Sequence, residues 1–211
     1  MLYSIAVMAE REALPESDLT PVIRRAQKGD RAAFDQIVEQ HYAGVFALLC
    51  KWTGNWHDAE DLTQEAFLRA YKYLNSFRPG ENFRSWLYRI ALNQAHDFHH
   101  DRRQARQTES LENTLEEHLR FDASTVQDLE RKQALETIYR LLPQFTPRER
   151  SVFVLKTMEG MENDEIARVL GISQTTVRRF YGLARKKILN ALKSDVRGEL
   201  NGSLRRGVQG T

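Results

Sequence analysis

The chain has 211 residues, enough for one or two domains with real cores. Hydrophobic residues make up 41% and charged residues 28%, ordinary for a soluble globular protein, and 31 Lys and Arg against 29 Asp and Glu leave a net charge of only +2, so overall charge points to no partner. The single cysteine, Cys50, excludes an intramolecular disulfide and a cysteine-rich zinc site, and no run approaches the ~20 apolar residues of a membrane span.

The first residues, MLYSIAVMAEREALPE, have a short apolar start without a basic region, which argues against a signal peptide. The expected setting is reducing and cytoplasmic, with no membrane insertion. Residues 1–17 read as a flexible extension. Thr20 and Pro21 then read as a helix start, a cap followed by proline at the first helical position. Val22, Ile23 and Ala26 follow, and Gly29 closes this helix. Asp30 caps a longer one, in which Phe34, Ile37, Val38, Tyr42, Val45, Leu49 and Trp52 give a broad apolar face.

The next helix is expected to start at Asp58, with Glu60 and Asp61 near its positive N-terminal end. Ala59, Leu62, Ala66, Ala70 and Leu74 form its buried stripe, and Asp61, Gln64, Glu65 and Arg69 lie off it as a polar surface. The stretch NSFRPGE over 75–81 is a loop. Asn82 caps a long helix with Phe83, Trp86, Leu87, Ile90 and Ala91 turned inward, running out into the basic HHDRRQAR. Residues 18–106 thus predict one all-helical domain.

Residues 107–126 lack a strong apolar period. Glu109, Glu112, Glu116, Glu117 and Asp122 stand there against Arg120, an acidic linker. A second helical domain follows over 127–193, with Leu129, Leu135, Ile138 and Leu142 on one face. Thr146-Pro147-Arg148-Glu149 is a capping box, and Val152, Phe153 and Leu155 carry that helix's core face. The stretch 162–192 then reads as two helices around a tight turn. Ile166, Ala167 and Leu170 make the first stripe, Gly171 supplies the left-handed turn residue, and Ser173 caps the second helix. Val177, Tyr181, Ala184 and Ile188 share one face of that helix. From Gln174 to Leu192 five cations, Arg178, Arg179, Arg185, Lys186 and Lys187, face no acidic residue. A short helix, a glycine turn and a basic second helix read as a DNA-binding helix-turn-helix, against the plainer alternative of a hairpin with a solvated basic face. Residues 194–211, glycine-containing and without apolar period, are expected to be a disordered tail.

The ordered set of these motifs resembles a sigma factor of the extracytoplasmic-function (ECF, group IV) class of bacterial RNA polymerase, within the sigma-70 family. AQKGDRAAFDQIVEQHY, DAEDLTQEAFLRAYKYL and FRSWLYRIALNQAHDF followed by an arginine pair are similar to that family's domain two. LPQFTPRERSVFVLK and NDEIARVLGISQTTVRR are similar to its domain four. The resemblance covers about residues 20–192 and implies an all-α protein of two small helical domains joined by a flexible linker. It implies an alternative sigma factor that binds core RNA polymerase, reads −35 and −10 promoter elements and helps open promoter DNA, with the polymerase supplying the chemistry and no cofactor or metal required.

Site residues follow from the same resemblance. Asp58, Asp61, Gln64, Glu65 and Arg69 would bind core polymerase, an acidic-and-amide surface suited to an arginine-rich partner. Arg78, Arg84, Asn93, Asp97, Arg102 and Arg103 would serve the −10 element, where a non-template base is flipped into a pocket. Gln174, Thr175, Arg178, Arg179 and Lys186 would lie at the −35 major groove. Phe180 and Leu183 stand where the family commonly has basic residues, so the −35 sequence does not carry over. Phe180 either touches a thymine methyl or caps the core edge. The acidic linker would thread toward the polymerase active-site cleft, or act as a simple tether. An anti-sigma protein is an implied partner. Two competing readings remain: a helix-turn-helix regulator that works without polymerase, and a metal enzyme built on His96, His99, His100 and Asp101, for which no further ligand cluster is visible.

Overall fold

Apolar residues spaced three and four apart give the first half of the chain its helices, and their caps are mostly where local chemistry puts them. The computed structural model describes residues 16–78, 80–105 and 138–207, with side chains described over 19–78, 80–100 and 138–191. The acidic linker over 107–126, residues 1–15 and residues 208–211 lie outside the described residues, as do Leu129 and Leu135.

Helix α1 (Glu16–Gln27) begins before the predicted Thr20 cap and carries Pro21 inside it. Leu19, Ile23 and Ala26 are buried on one face, so tertiary packing holds the helix across the hydrogen bond that proline cannot make. Gly29 turns the chain at φ 91°. Asp30 then caps α2 (Arg31–Thr53) by accepting the Ala33 N–H. Gly54, at φ 68°, ends α2 in the left-handed conformation and donates its N–H to the Cys50 carbonyl. Cys50 itself is half-buried, and burial pushes its thiol up to about 12, so it is an inert packing residue.

Helix α3 (Trp56–Tyr73) starts ahead of the predicted Asp58, because the cap is Asn55, whose side chain accepts the Asp58 N–H at 3.0 Å. Its Ala59, Leu62, Ala66, Phe67 and Ala70 are buried. Buried Thr63 returns its hydroxyl to the Ala59 carbonyl at 2.6 Å, so no polar group is orphaned there. A 3-10 turn (Leu74–Ser76) and a loop lead to α4 (Phe83–Ala105). Asn82 caps it through the Ser85 N–H at 2.6 Å. Phe83, Leu87, Tyr88, Ala91, Leu92 and Ala95 are buried against α2 and α3.

In the second half, a 3-10 turn (Leu142–Gln144) precedes α5 (Pro147–Phe153), which opens on the predicted Thr146–Glu149 capping box. The helix continues into a π-helical turn (Val154–Met158). Helix α6 (Asn163–Leu170) carries its own reciprocal cap between Glu162 and Glu165 and ends at Gly171, φ 62°. Ser173 accepts the Thr176 N–H at 3.1 Å at the start of α7 (Gln174–Gly207). Where composition predicts a disordered tail from 194, the described helix runs on to Gly207. Once nucleated, a helix adds one hydrogen bond per residue fixed, and Gly198 and Gly202 weaken it without stopping it.

The two helical units pack together. Buried Val152, Val154, Leu155, Ile166, Val169 and Val177 belong to the same apolar cluster as Val45, Leu49, Trp52, Leu87 and Leu92. A second, smaller cluster of Leu142, Phe145, Phe153 and Ala184 lies within the C-terminal unit. Among the described residues no helix is long and apolar enough to cross a membrane.

Candidate functional site

Three exposed faces carry the candidate residues, and the third adjoins a strip that the C-terminal unit covers. On α3, Asp61, Gln64, Glu65 and Arg69 are exposed, and Asp58 is half-buried in the first turn. Positions spaced three and four apart share a helix side, so the four exposed residues form one strip. Arg69 Nε donates to Glu65 Oε1 at 3.0 Å, an exposed pair of the kind worth about 0.3–0.5 kcal/mol. Beside this strip an open groove of about 540 Å³ runs between α2 and α3, lined by Phe34, Val38, Tyr42, Gln64, Leu68 and Tyr71. Leu68 is 67% exposed, and Tyr42 and Tyr71 are also exposed. The apolar pattern of α2 predicts Tyr42 inward; the structure turns it to this groove instead, stacked beside Phe46 and Phe67. Leu68 is the residue that sequence reasoning passed over. Its signal was present, since it falls off the buried stripe among Gln64, Glu65 and Arg69.

The second face is the outer side of α7 at its start. Val177 and Ala184 are fully buried and hold the helix down, while Gln174, Thr175, Arg178, Arg179, Arg185 and Lys186 are exposed. Lys187 points the other way: its ammonium meets the Gln144 carbonyl at 2.9 Å and the Glu149 carboxylate at 2.6 Å, a structural role. Phe180 packs against the apolar cluster with the Arg179 guanidinium 5.1 Å over its ring, so it caps the core edge. Leu183 is 42% exposed, on the outer side.

The third face belongs to α4 and the loop before it. Arg78, Arg84, Asn93 and Asp97 are exposed. Arg102 and Arg103 lie on the helix beyond the described side chains. Phe77, Phe83 and Trp86 form an aromatic cluster with ring centres 5.0 to 5.5 Å apart. Phe83 is buried in it, and Trp86 is half-buried.

The strip of α4 next to Asn93 and Asp97 is covered by the C-terminal unit. Glu159, its side chain only 8% exposed, sits 2.6 Å from Lys51 Nζ and 3.3 Å from an Arg84 nitrogen. The Tyr88 hydroxyl lies 3.4 Å from the same carboxylate. Arg89 donates to the carbonyls of Arg168 and Val169, and Arg148 donates to that of Leu170 at 3.2 Å. These are the last carbonyls of α6, which have no partner within their own helix and carry its negative dipole end. Further along, buried Ser151 takes the Trp52 indole N–H at 3.0 Å and meets His96 Nε2 at 2.8 Å. Arg150 lies 4.7 Å over the Trp52 ring and donates to the Leu142 carbonyl at 2.7 Å. Burial, with the Arg148 charge added, lowers His96 to about 4, so its imidazole is neutral at pH 7. His99 stands edge-on to Trp52. His96 is therefore engaged in holding the units together and His99 packs on Trp52 within the first unit, and among the described residues no three His, Cys, Asp or Glu side chains gather as metal ligands would. None of these inter-unit contacts is visible as a sequence pattern.

Comparison with known proteins decides the family. Residues 37–106 match sigma-70 region 2 and residues 135–188 match sigma-70 region 4. The chain is 30% identical over 180 residues to RNA polymerase sigma-H factor of Pseudomonas aeruginosa, covering 82% of this chain and 92% of that protein. It is 33% identical over 165 residues to ECF RNA polymerase sigma factor SigW of Bacillus subtilis, covering 74% and 87%. This chain is an ECF sigma factor of the sigma-70 family. As such a factor it brings RNA polymerase to specific promoters and starts transcription there. Among solved structures it is similar to CnrH in complex with the cytosolic domain of CnrY, with a TM-score of 0.58, 28% identity and coverage of 83% of this chain and 97% of that one. The sigma factor RpoE of Bartonella quintana shares the fold, with a TM-score of 0.57 at 21% identity.

Proposed function

We propose that this ECF sigma factor divides its work among the three faces described. The strip Asp58, Asp61, Gln64, Glu65 and Arg69 on α3 grips core RNA polymerase, and Leu68, Tyr42 and Tyr71 add an apolar contact beside it. Carboxylates and an amide next to exposed apolar side chains fit a partner helix that presents arginines over an apolar stem. Arg78, Arg84, Asn93, Asp97, Arg102 and Arg103 serve the −10 element. The arginines hold phosphates, Asn93 and Asp97 face base edges, and the Phe77–Phe83–Trp86 cluster borders the flipped base. Gln174, Thr175, Arg178, Arg179 and Lys186 enter the −35 major groove, where arginine pairs with guanine and glutamine with adenine.

In this reading residues 18–106 and 127–193 are the two functional domains, and the acidic segment 107–126 links them. The factor works in the cytoplasm and is not an enzyme. An anti-sigma protein holds it in reserve, a proposal supported by the complex in which the similar CnrH was solved.

The observation that carries this reading is the paired match to regions 2 and 4 over helices that leave Asp61, Gln64 and Glu65 exposed on one unit and Gln174, Thr175 and Arg178 on the other. Run-off transcription with purified core polymerase and a library of promoter DNA tests it. Transcription that depends on this protein, and is lost with Arg178→Ala or Asp61→Ala, is the expected result. A protein that binds duplex DNA but neither binds core polymerase nor supports transcription is instead a polymerase-free regulator.

A further inference from the structure

We propose that Gly182 is a seat for a phosphate of the DNA backbone: the missing side chain lets one strand of the −35 duplex come against the bare surface of α7, and that close approach sets how the helix lies in the major groove. The inference rests on the −35 reading above and deepens it. It adds Gly182 and Arg185 to the DNA surface, and it gives Lys186 a phosphate in place of a base edge.

Gly182 is a glycine without a structural reason inside the chain itself. Gly29, Gly54, Gly80, Gly160 and Gly171 all take positive φ. A Cβ added at Gly44 would lie 3.4 Å from the Tyr88 hydroxyl. Gly182 has neither feature: it lies within α7 without positive φ, and a Cβ added there meets nothing within 4 Å. Glycine in a helix interior weakens the helix relative to alanine. Where neither backbone angle nor packing demands it, the use left is close approach of the backbone to a ligand.

The surroundings name the chemistry of that ligand. Residues three and four apart are neighbours on a helix surface. For Gly182 these neighbours are Arg178, Arg179, Arg185 and Lys186, all of them exposed. Among the described residues none of the four pairs with a carboxylate. Arg179 leans over the Phe180 ring at 5.1 Å, on its side away from Gly182. Lys187 is turned to Glu149, and Val177 and Ala184 are buried on the opposite face. Four cations thus border one patch of bare backbone, a seat for an anion carried on a strand, as a phosphodiester is. Such a contact holds position without reading sequence. Distance along the helix agrees. Gly182 lies eight residues beyond Gln174, about 12 Å at 1.5 Å per residue. The major groove is about 12 Å wide. When Gln174 and Thr175 reach base edges, Gly182 therefore comes level with a strand at the groove's edge.

The test uses the full-length protein assembled with core polymerase. Duplexes are recovered from a random library of promoter DNA, and the affinity of the holoenzyme for a recovered, fluorescently labelled duplex is measured by anisotropy at several salt concentrations. Thermal melting of the free factor is followed alongside. Gly182→Ala and Gly182→Leu both put a good helix former at the site, so both are expected to melt a few degrees above the wild type. DNA affinity is expected to move the other way, in order of side-chain size. It should be about tenfold weaker for alanine, the scale of one hydrogen bond to a charged group, and weaker again for leucine. The slope of log affinity against log salt should become shallower by about 1 in the leucine variant, as the loss of one phosphate contact requires. Affinity and salt slope unchanged in both variants overturn the phosphate seat. An equal loss in both also overturns it, since alanine and leucine stiffen the helix alike and differ in size. Arg178→Ala keeps the two readings apart. Binding that falls with Arg178→Ala and not with the Gly182 variants leaves the −35 reading standing and removes the seat. A wild-type holoenzyme that recovers no preferred duplex refutes the −35 reading itself.

Discussion

Ser151 is the smallest side chain with the largest part in joining the two units. It is fully buried and accepts from Trp52 while meeting His96. Ser151→Ala leaves a buried indole N–H without its acceptor, which costs about 1–3 kcal/mol. The expected outcome is a lower urea midpoint together with a longer inter-unit distance. His96 makes the same contact sensitive to pH. The groups facing it are Trp52 from α2, Arg148 and Ser151 from the C-terminal unit, and Asp97 and His99 from α4. Above its unfolded value near 6.5 the imidazole is neutral in both states and carries no penalty. As pH falls from 6.5 toward about 4 the unfolded chain takes up a proton that the folded one refuses, so stability falls across that window. His41, held at about 4 by burial and by the Arg84 charge, loses stability over the same range. Each contributes of order 2–3 kcal/mol at the acid end. Urea melts between pH 7 and pH 4.5 should show the loss, and His96→Gln, which keeps a donor toward Ser151, should reduce the pH slope by roughly half.

At the scale of elements, the two glycines of the helix-turn-helix have opposite meanings. Gly171 sits at φ 62°, where a side chain strains the backbone, so Gly171→Ala should lower stability by about 1–2 kcal/mol. Gly182 lies within α7 at ordinary helical geometry, and an added Cβ there meets nothing within 4 Å. Gly182→Ala should raise stability by about 0.8–1 kcal/mol, which calorimetry on the same preparation reads directly. On α3, Leu68→Asp should leave the fold intact, since the residue is 67% exposed, and should weaken core polymerase binding in a pull-down about as much as Asp61→Ala. Much of this level is legible in the sequence. Asp30, Asn82, the Thr146–Glu149 box and Ser173 cap their helices as expected, because a cap is settled by residues three apart. The starts of α1 and α3 are less legible. Thr20 with Pro21 is a sound local start that tertiary packing overrides, and Asn55 competes with Asp58 for the same role within one turn. The outward strips of α3 and α7 follow from period alone, since the positions left over from a buried stripe must face outward. Tyr42 departs from this, because an aromatic residue beside a groove satisfies the same apolar period as one in the core.

At the scale of the molecule, two helical units and their order along the chain can be read from the sequence, and their packing against each other cannot. Trp52 and Ser151 are 99 residues apart, Lys51 and Glu159 are 108 apart, and His96 and Ser151 are 55 apart. These polar pairs have no period to reveal them, and each half would look complete without the other. Family resemblance does not supply them either, because it assigns residues to polymerase and DNA and says nothing of which residue faces which within the free chain.

The setting of Trp52 has one more consequence. Its indole is 1% exposed, lies under the Arg150 guanidinium and gives its N–H to Ser151, all within the contact between units. Separation of the units would move that ring from a dry, hydrogen-bonded slot into water. The chain therefore carries its own optical gauge: a red shift of tryptophan emission should accompany separation of the units, whether brought about by acid or by Ser151→Ala, and Trp52→Phe should abolish the signal while the emission of Trp56 and Trp86 persists.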